Sequence, residues 1–253
     1  MKAGLFFLLS LILLLGGCAD QPSGTSQGAV VSKVPVVALV FGQSNAANHG
    51  DPAARYQSVE PVFEFFEGAF HPAGDPMKGA SGDGSSVWPR LGDLLVQQGG
   101  QTKVVFVSIG IGTTTAAQWS TPGESGYVKL QQALDMINVY SLQVSHVLFH
   151  QGESDSLLRT SKEAYKQQIR TLVESLSPLQ ARFYLSIASQ APGIDPTYLE
   201  IQTAQKELIA EEARIYSGPN TDLYADQEYR YDDFHFNAKG LDRFAQDWLA
   251  ILK

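Results

Sequence analysis

Ser44 stands at the end of the stretch 36–45, VVALVFGQSN, in which six consecutive apolar residues run into Gly42, Gln43, Ser44 and Asn45. A serine hydroxyl attacks a carbonyl only when a base takes its proton, an acid partner holds that base, and donors receive the charge developing on the carbonyl oxygen. The chain has a candidate for each role, far apart in sequence. Asp232 and His235, three residues apart in DDFHFN (232–237), let a carboxylate hold one ring nitrogen while the other faces a serine. Asp233 competes for the acid role. Gly110 and Gly112, in SIGIGTTT (108–115), could bring a backbone N–H up to a reacting carbonyl, and the Gln151 amide, in HQGESD (150–155), could donate beside it. Such a set hydrolyses esters. A single serine after a strand more often caps the next turn, so it is the distant groups that favour chemistry at Ser44.

Those groups must be brought together by the elements that precede them. Short apolar runs at 35–41, 103–109, 145–149, 182–188 and 214–217 read as buried strands. Between and after them, 87–98, 128–138, 162–176, 198–212 and 239–252 carry apolar residues at helical spacing. This alternation predicts right-handed βαβ crossovers, hence an α/β fold: a three-layer α/β/α sandwich with a five-stranded parallel sheet. Ligands of such sheets bind beyond the carboxyl ends of the strands, the edge on which Ser44 and the other polar turns would open.

The connection 46–86 is too long for a simple crossover, and alternation at 62–66 suggests an extra strand pair. Phe63, Phe65, Phe66 and Phe70 there read as a satellite core. His49 and His71, with no second ligand beside either at metal-like spacing, read as surface or packing residues. His150, at a strand end, reads as structural. Glu153 could orient Gln151 or Ser44, or cap the helix that follows. Tyr229 and Tyr231 fit either a pocket wall or exposed packing.

The first 18 residues read differently from the rest. A lysine at position 2, an apolar core over 5–15 and Gly-Gly-Cys at 16–18 resemble a bacterial lipoprotein signal, with Cys18 as the lipidated residue of an exported protein anchored in the cell envelope. Residues 19–33, rich in Ser, Gly and Gln, read as a flexible tether, which leaves 34–253 as one domain. Cys18 is the only cysteine, so the mature chain would carry no internal disulfide and no cysteine nucleophile. The formal net charge of −8, with no cluster of Lys or Arg, argues against a nucleic-acid partner.

Gly42-Gln43-Ser44-Asn45, the run 150–155 and Asp232-x-x-His235 resemble three signature blocks of the SGNH (GDSL-like) hydrolase superfamily, specifically its sialate O-acetylesterase and carbohydrate esterase family 6 (acetyl xylan esterase) branch. The resemblance covers 36–252 and implies a flavodoxin-like SGNH fold. It further implies Ser44 as nucleophile, Asp232 and His235 as its partners, and an oxyanion hole formed by the N–H of Ser44, the N–H of Gly112 and the amide of Gln151. The second block departs from the family's Gly-Gly-Thr, since Thr113 follows Gly112 and only Trp119 keeps its spacing, so the second backbone donor is open among Gly110, Gly112 and Thr113. Ala46 also breaks the Gly-x-Ser-x-Gly elbow of α/β-hydrolases. The expected protein is a serine esterase that removes acetyl groups from carbohydrate without metal or cofactor, meets the membrane only through its N-terminal lipid, and has an open oligomeric state. The alternatives are a non-catalytic carbohydrate-binding lipoprotein on the same fold, and a lipase or thioesterase of the same superfamily.

Overall fold

The computed structural model describes residues 35–253. The expected signal, the lipidation at Cys18 and the tether lie outside the described residues. Strand β1 (Val36–Gly42) is the centre of the sheet, flanked in parallel by β4 (Val104–Ser108) and β5 (His146–His150). Beyond β5 follow β6 (Arg182–Ile187) and β7 (Ile215–Asn220). All five strands expected from the apolar runs are present. The register sets Val40 against Ser108 and Gly42 against His150, so the three polar turns leave the sheet at one level.

The sheet has seven strands rather than the expected five. The long connection contributes β2 (Val62–Phe66), parallel to β4, and β3 (Ala69–Pro72), antiparallel to β2. An uncovered β4 would expose a row of unpaired backbone groups, and the hairpin satisfies them. Phe65 consequently joins the main core, while Phe70 stays half exposed and packs on it edge-on.

Side-chain alternation along β1 separates two cores. Leu39 and Phe41 face one layer, with α2 (Ala116–Ser120), α3 (Ser125–Val139), α5 (Lys162–Ser175) and α6 (Glu200–Glu211), while the short α4 (Glu153–Leu157) follows β5 at the sheet edge. Ala38 and Val40 face α1 (Trp88–Gln97) and α7 (Ala238–Leu252), where Trp88, Phe244 and Trp248 are fully buried. Each such side chain contributes roughly 1.5–3 kcal/mol or more from removal of apolar surface from water. The helices start where the chain supplies caps: Pro89 in the first turn of α1, Ser161 ahead of α5, and Asn237, whose side chain accepts from the Gly240 N–H, ahead of α7.

One glycine fixes the exit of β1. Gly42 has φ of 136°, and a Cβ there would lie 1.9 Å from the His150 carbonyl oxygen. Only glycine lets the chain turn this tightly against β5 and still present the next residues at the sheet edge.

Candidate active site

Ser44 opens a short 3-10 turn (Ser44–Ala46) directly beyond β1. The turn is tied down on both sides: the Gln43 N–H donates to the His150 carbonyl at 3.1 Å, and Ala46 N–H and Ala47 N–H return to Gln43 and Ser44 at 2.9 and 3.0 Å. The Ser44 N–H has no acceptor among the described residues. A rigid turn with an uncommitted N–H beside a hydroxyl suits a nucleophile that also donates to the oxyanion it creates.

The loop before α7 carries the candidate base. His235 Nδ1 lies 2.7 Å from Asp232 Oδ2, and Asp232 Oδ1 accepts from the N–H groups of Phe234 and His235 at 2.7 and 2.6 Å. Burial alone would raise the Asp232 pKa, but these hydrogen bonds outweigh it and hold the carboxyl below its ordinary range. Asp233 instead accepts from the exposed Gln227 amide at 2.9 Å. Between the two acids, the geometry favours Asp232.

Ser44 and His235 line one cavity of about 180 Å³, together with Gln43, Asn45, Thr113, Glu153, Ser154, Leu157 and Phe234. Asn45 couples its walls: its Nδ2 donates to Glu153 Oε1 at 3.0 Å and to the Phe234 carbonyl at 3.1 Å. The buried Arg230 donates to that same carbonyl at 2.6 Å. The first turn, the third turn and the histidine loop are thus bonded into one wall. Burial pushes the Glu153 carboxyl up to about 7, against the Asn45 hydrogen bond and the charge of Arg230, and leaves its Oε2 without a protein partner. A larger groove of about 640 Å³ passes Arg170 and Arg214, but both are paired, with Glu212 and Glu174, and it holds no serine–histidine pair.

The family model for carbohydrate esterases of the sialic acid-specific acetylesterase type matches residues 35–250. The chain belongs to this family. It is a carboxylic ester hydrolase, and the SGNH resemblance read from its three blocks is borne out. Among solved structures, a protein from Arabidopsis thaliana is 13% identical, with 85% of this chain and 96% of that one covered at a TM-score of 0.68. Est24, a carbohydrate acetylesterase from Sinorhizobium meliloti, is 14% identical, covering 86% and 98% at 0.53, and a family 3 carbohydrate esterase from Clostridium thermocellum is 14% identical, covering 87% and 98% at 0.55. At such identities the likeness is one of fold. No curated protein matches the sequence.

Within this acetylesterase-family fold, two of the expected donors stand away from the cavity. Gln151 is fully buried, does not line the cavity, and spends its Nε2 on the Thr114 carbonyl at 3.3 Å and on the Asp155 carboxylate. A buried amide must find partners, and its nearest acceptors lie beneath the second turn. Gln151 therefore braces that turn. The Gly112 N–H is committed to Ser81 Oγ at 2.8 Å, and Gly110 is buried behind it. Thr113, with φ of 62°, is the one member of the open set Gly110, Gly112 and Thr113 that lines the cavity.

Around this site of the esterase stand residues that the sequence read as packing or left open, His49 among the former. His49 stacks on His235 with centroids 5.6 Å apart, and its Nε2 lies 3.1 Å from Ser81 Oγ. Burial lowers its pKa, as does the neighbouring His235, with Asp83 opposing. Tyr231 stacks near the other ring at 6.1 Å and donates to the His49 carbonyl at 3.3 Å, whereas Tyr229 packs on Tyr224. His150 is fully buried against Thr221 at 3.0 Å, and burial pushes its pKa down to about 3. Glu153 partners Asn45 rather than Gln151 or Ser44. Gln43 and Ser154 line the cavity, and adjacency to Ser44 was the only sequence signal for Gln43. Among the described residues no three His, Cys, Asp or Glu side chains are grouped to hold a metal ion.

Proposed function

We propose that this esterase removes O-acetyl groups from carbohydrate through Ser44, His235 and Asp232 and an acyl-enzyme intermediate. In the first half-reaction Ser44 Oγ attacks the ester carbonyl carbon while His235 Nε2 takes the hydroxyl proton. Asp232 keeps the ring proton on Nδ1, so that Nε2 is free to act as base. The tetrahedral intermediate collapses, the sugar oxygen leaves with the proton from His235, and acetyl remains on Ser44. Water then repeats the sequence and releases acetate.

The observation that carries this reading is the joint presence of Ser44 and the Asp232-held His235 at one small cavity. Its roughly 180 Å³ falls below the roughly 300–1,000 Å³ of pockets that enclose drug-sized ligands, which suits a short acyl group with the sugar outside. The family, and the printed activities of the Sinorhizobium and Clostridium enzymes, support a carbohydrate ester as substrate. Residues 1–18 support export and anchoring in a bacterial envelope through lipid on Cys18, the one thiol available for it. Loss of detergent partitioning in Cys18→Ser would bear this out, and retention would refute it.

The test of function is acetate release from acetylated xylan, chitin fragments and O-acetylated sialic acid. A fluorophosphonate probe should label Ser44, and Ser44→Ala should lose both label and activity while keeping its melting temperature. Labelling at another serine would overturn the assignment.

A further inference from the structure

The resemblance points to Gln151 as the side-chain donor of the oxyanion hole, yet that amide is buried outside the cavity. Another amide is better placed. We propose that the side-chain Nε2 of Gln43 is the donor that receives the oxyanion; this rests on the reading of Ser44 as nucleophile.

The orientation of Gln43 follows from its partners. Its Oε1 accepts from the backbone N–H of Gly152 at 3.2 Å and of Ser154 at 3.0 Å. Both partners are donors only, so the oxygen must face them and the NH₂ group must face away. The main chain of Gln43 is fixed as well, its N–H on the His150 carbonyl at 3.1 Å and its carbonyl accepting from Ala46 at 2.9 Å. Every polar group of the residue is thus engaged except Nε2, which has no acceptor among the described residues.

That exception is an available donor. Gln43 is only 4% exposed, yet its Nε2 is not among the fully buried polar atoms that lack a partner, so it stays accessible to an acceptor. Gln43 lines the cavity next to Ser44, and the developing carbonyl oxygen is an acceptor that arrives there during reaction. A donor held in place before the charge develops needs no reorganisation when it does. The turn that holds it is itself specialised: Gly152 has φ of 155°, and a Cβ there would lie 2.1 Å from the Ala188 carbonyl oxygen. With the Ser44 N–H from the same turn, the oxyanion would meet two donors from consecutive residues.

Gln43→Glu, assayed from pH 7 to pH 9 so that its buried carboxyl is ionised at the upper end, separates this role from a scaffold role, because a carboxylate still accepts from Gly152 and Ser154 but cannot donate. With p-nitrophenyl acetate its kcat at the upper end should fall about 10²- to 10³-fold with KM nearly unchanged, in a variant that still melts cooperatively above the assay temperature. Gln43→Met, similar in length and uncharged, should show the same kcat loss, which rules out the added charge as its cause. Wild-type kcat in Gln43→Glu, or a loss confined to KM, would overturn the proposal, as would loss in Gln43→Met alone. Ser44→Ala is assayed alongside. If wild-type hydrolysis does not depend on Ser44, the serine-esterase reading fails and this proposal with it; if it does and Gln43→Glu is normal, only the Gln43 role falls.

Discussion

The imidazole of His49 lies on that of His235, with planes 27° apart and centroids separated by 5.6 Å. The ring proposed to take the serine proton is held at its edge by Asp232 and across its face by a second histidine. Through Ser81 Oγ, 3.1 Å from His49 Nε2 and 2.8 Å from the Gly112 nitrogen, the same residue is linked to the turn that carries Thr113.

His49→Ala should free the His235 ring and lower kcat about tenfold, whereas His49→Phe, which keeps the stack, should retain most of the activity. Steady-state kinetics on one acetyl ester checks this. Equal losses in both variants would show that the ring contact does not position His235.

Asp232→Asn should cost about 10²- to 10⁴-fold in kcat, because the amide no longer holds the His235 proton on Nδ1. Asp233→Asn, which gives up only the exposed contact to Gln227, should change kcat by less than about threefold. A reversal of the two effects would transfer the acid role to Asp233.

Glu153 links protonation to stability. Its carboxyl is raised from 4.5 in the unfolded chain to about 7 in the fold by burial, so the folded state binds more protons between these values. Stability therefore falls as pH rises through that window, by about 3 kcal/mol at most from this group. Asp75, raised to about 6 by burial, slopes the same way. Glu153→Gln removes only the Glu153 part, so the melting temperature of the variant relative to wild type should increase from pH 4.5 to 7.5. A pH-independent difference would mean that Glu153 titrates normally.

Gln151→Ala should act mainly on stability. It strips a donor from the buried Asp155 carboxylate and from the Thr114 carbonyl, at a cost of about 1–3 kcal/mol in urea melts. Its effect on kcat should be much smaller than that of Gln43→Glu. The opposite order would restore Gln151 as the oxyanion donor.

Acyl length tests the cavity. A methylene forced into a filled site costs about 1–3 kcal/mol, so kcat/KM on p-nitrophenyl esters should fall about tenfold or more from acetate to butyrate, and further to octanoate. Leu157 at the cavity wall is 48% exposed, the one large aliphatic side chain among the described residues that line the cavity. A profile rising with length would favour the lipase or thioesterase alternative.

By itself the sequence determined the sheet of five apolar strands and the polar turns at their ends, because burial on both faces writes a continuous apolar run that no loop resembles. It also confined the partner of His235 to Asp232 or Asp233, since two or three residues of chain in one loop bring carboxylate and ring together without help from the rest of the fold; the geometry then selected Asp232. The tertiary structure alone decided the rest. Whether Gln43 or Gln151 reaches the cavity depends on which acceptors and donors surround each amide, and apart from Asp155, four residues from Gln151, those come from residues 37 to 111 positions away. His49 meets His235 across 186 positions, and a sequence in which no second ligand stands beside His49 gives no sign of that approach. The hairpin at 62–72 was legible as strands, but its place beside β4 was not: period-2 alternation states that a segment has two faces, and only packing of the whole chain states which open edge it closes.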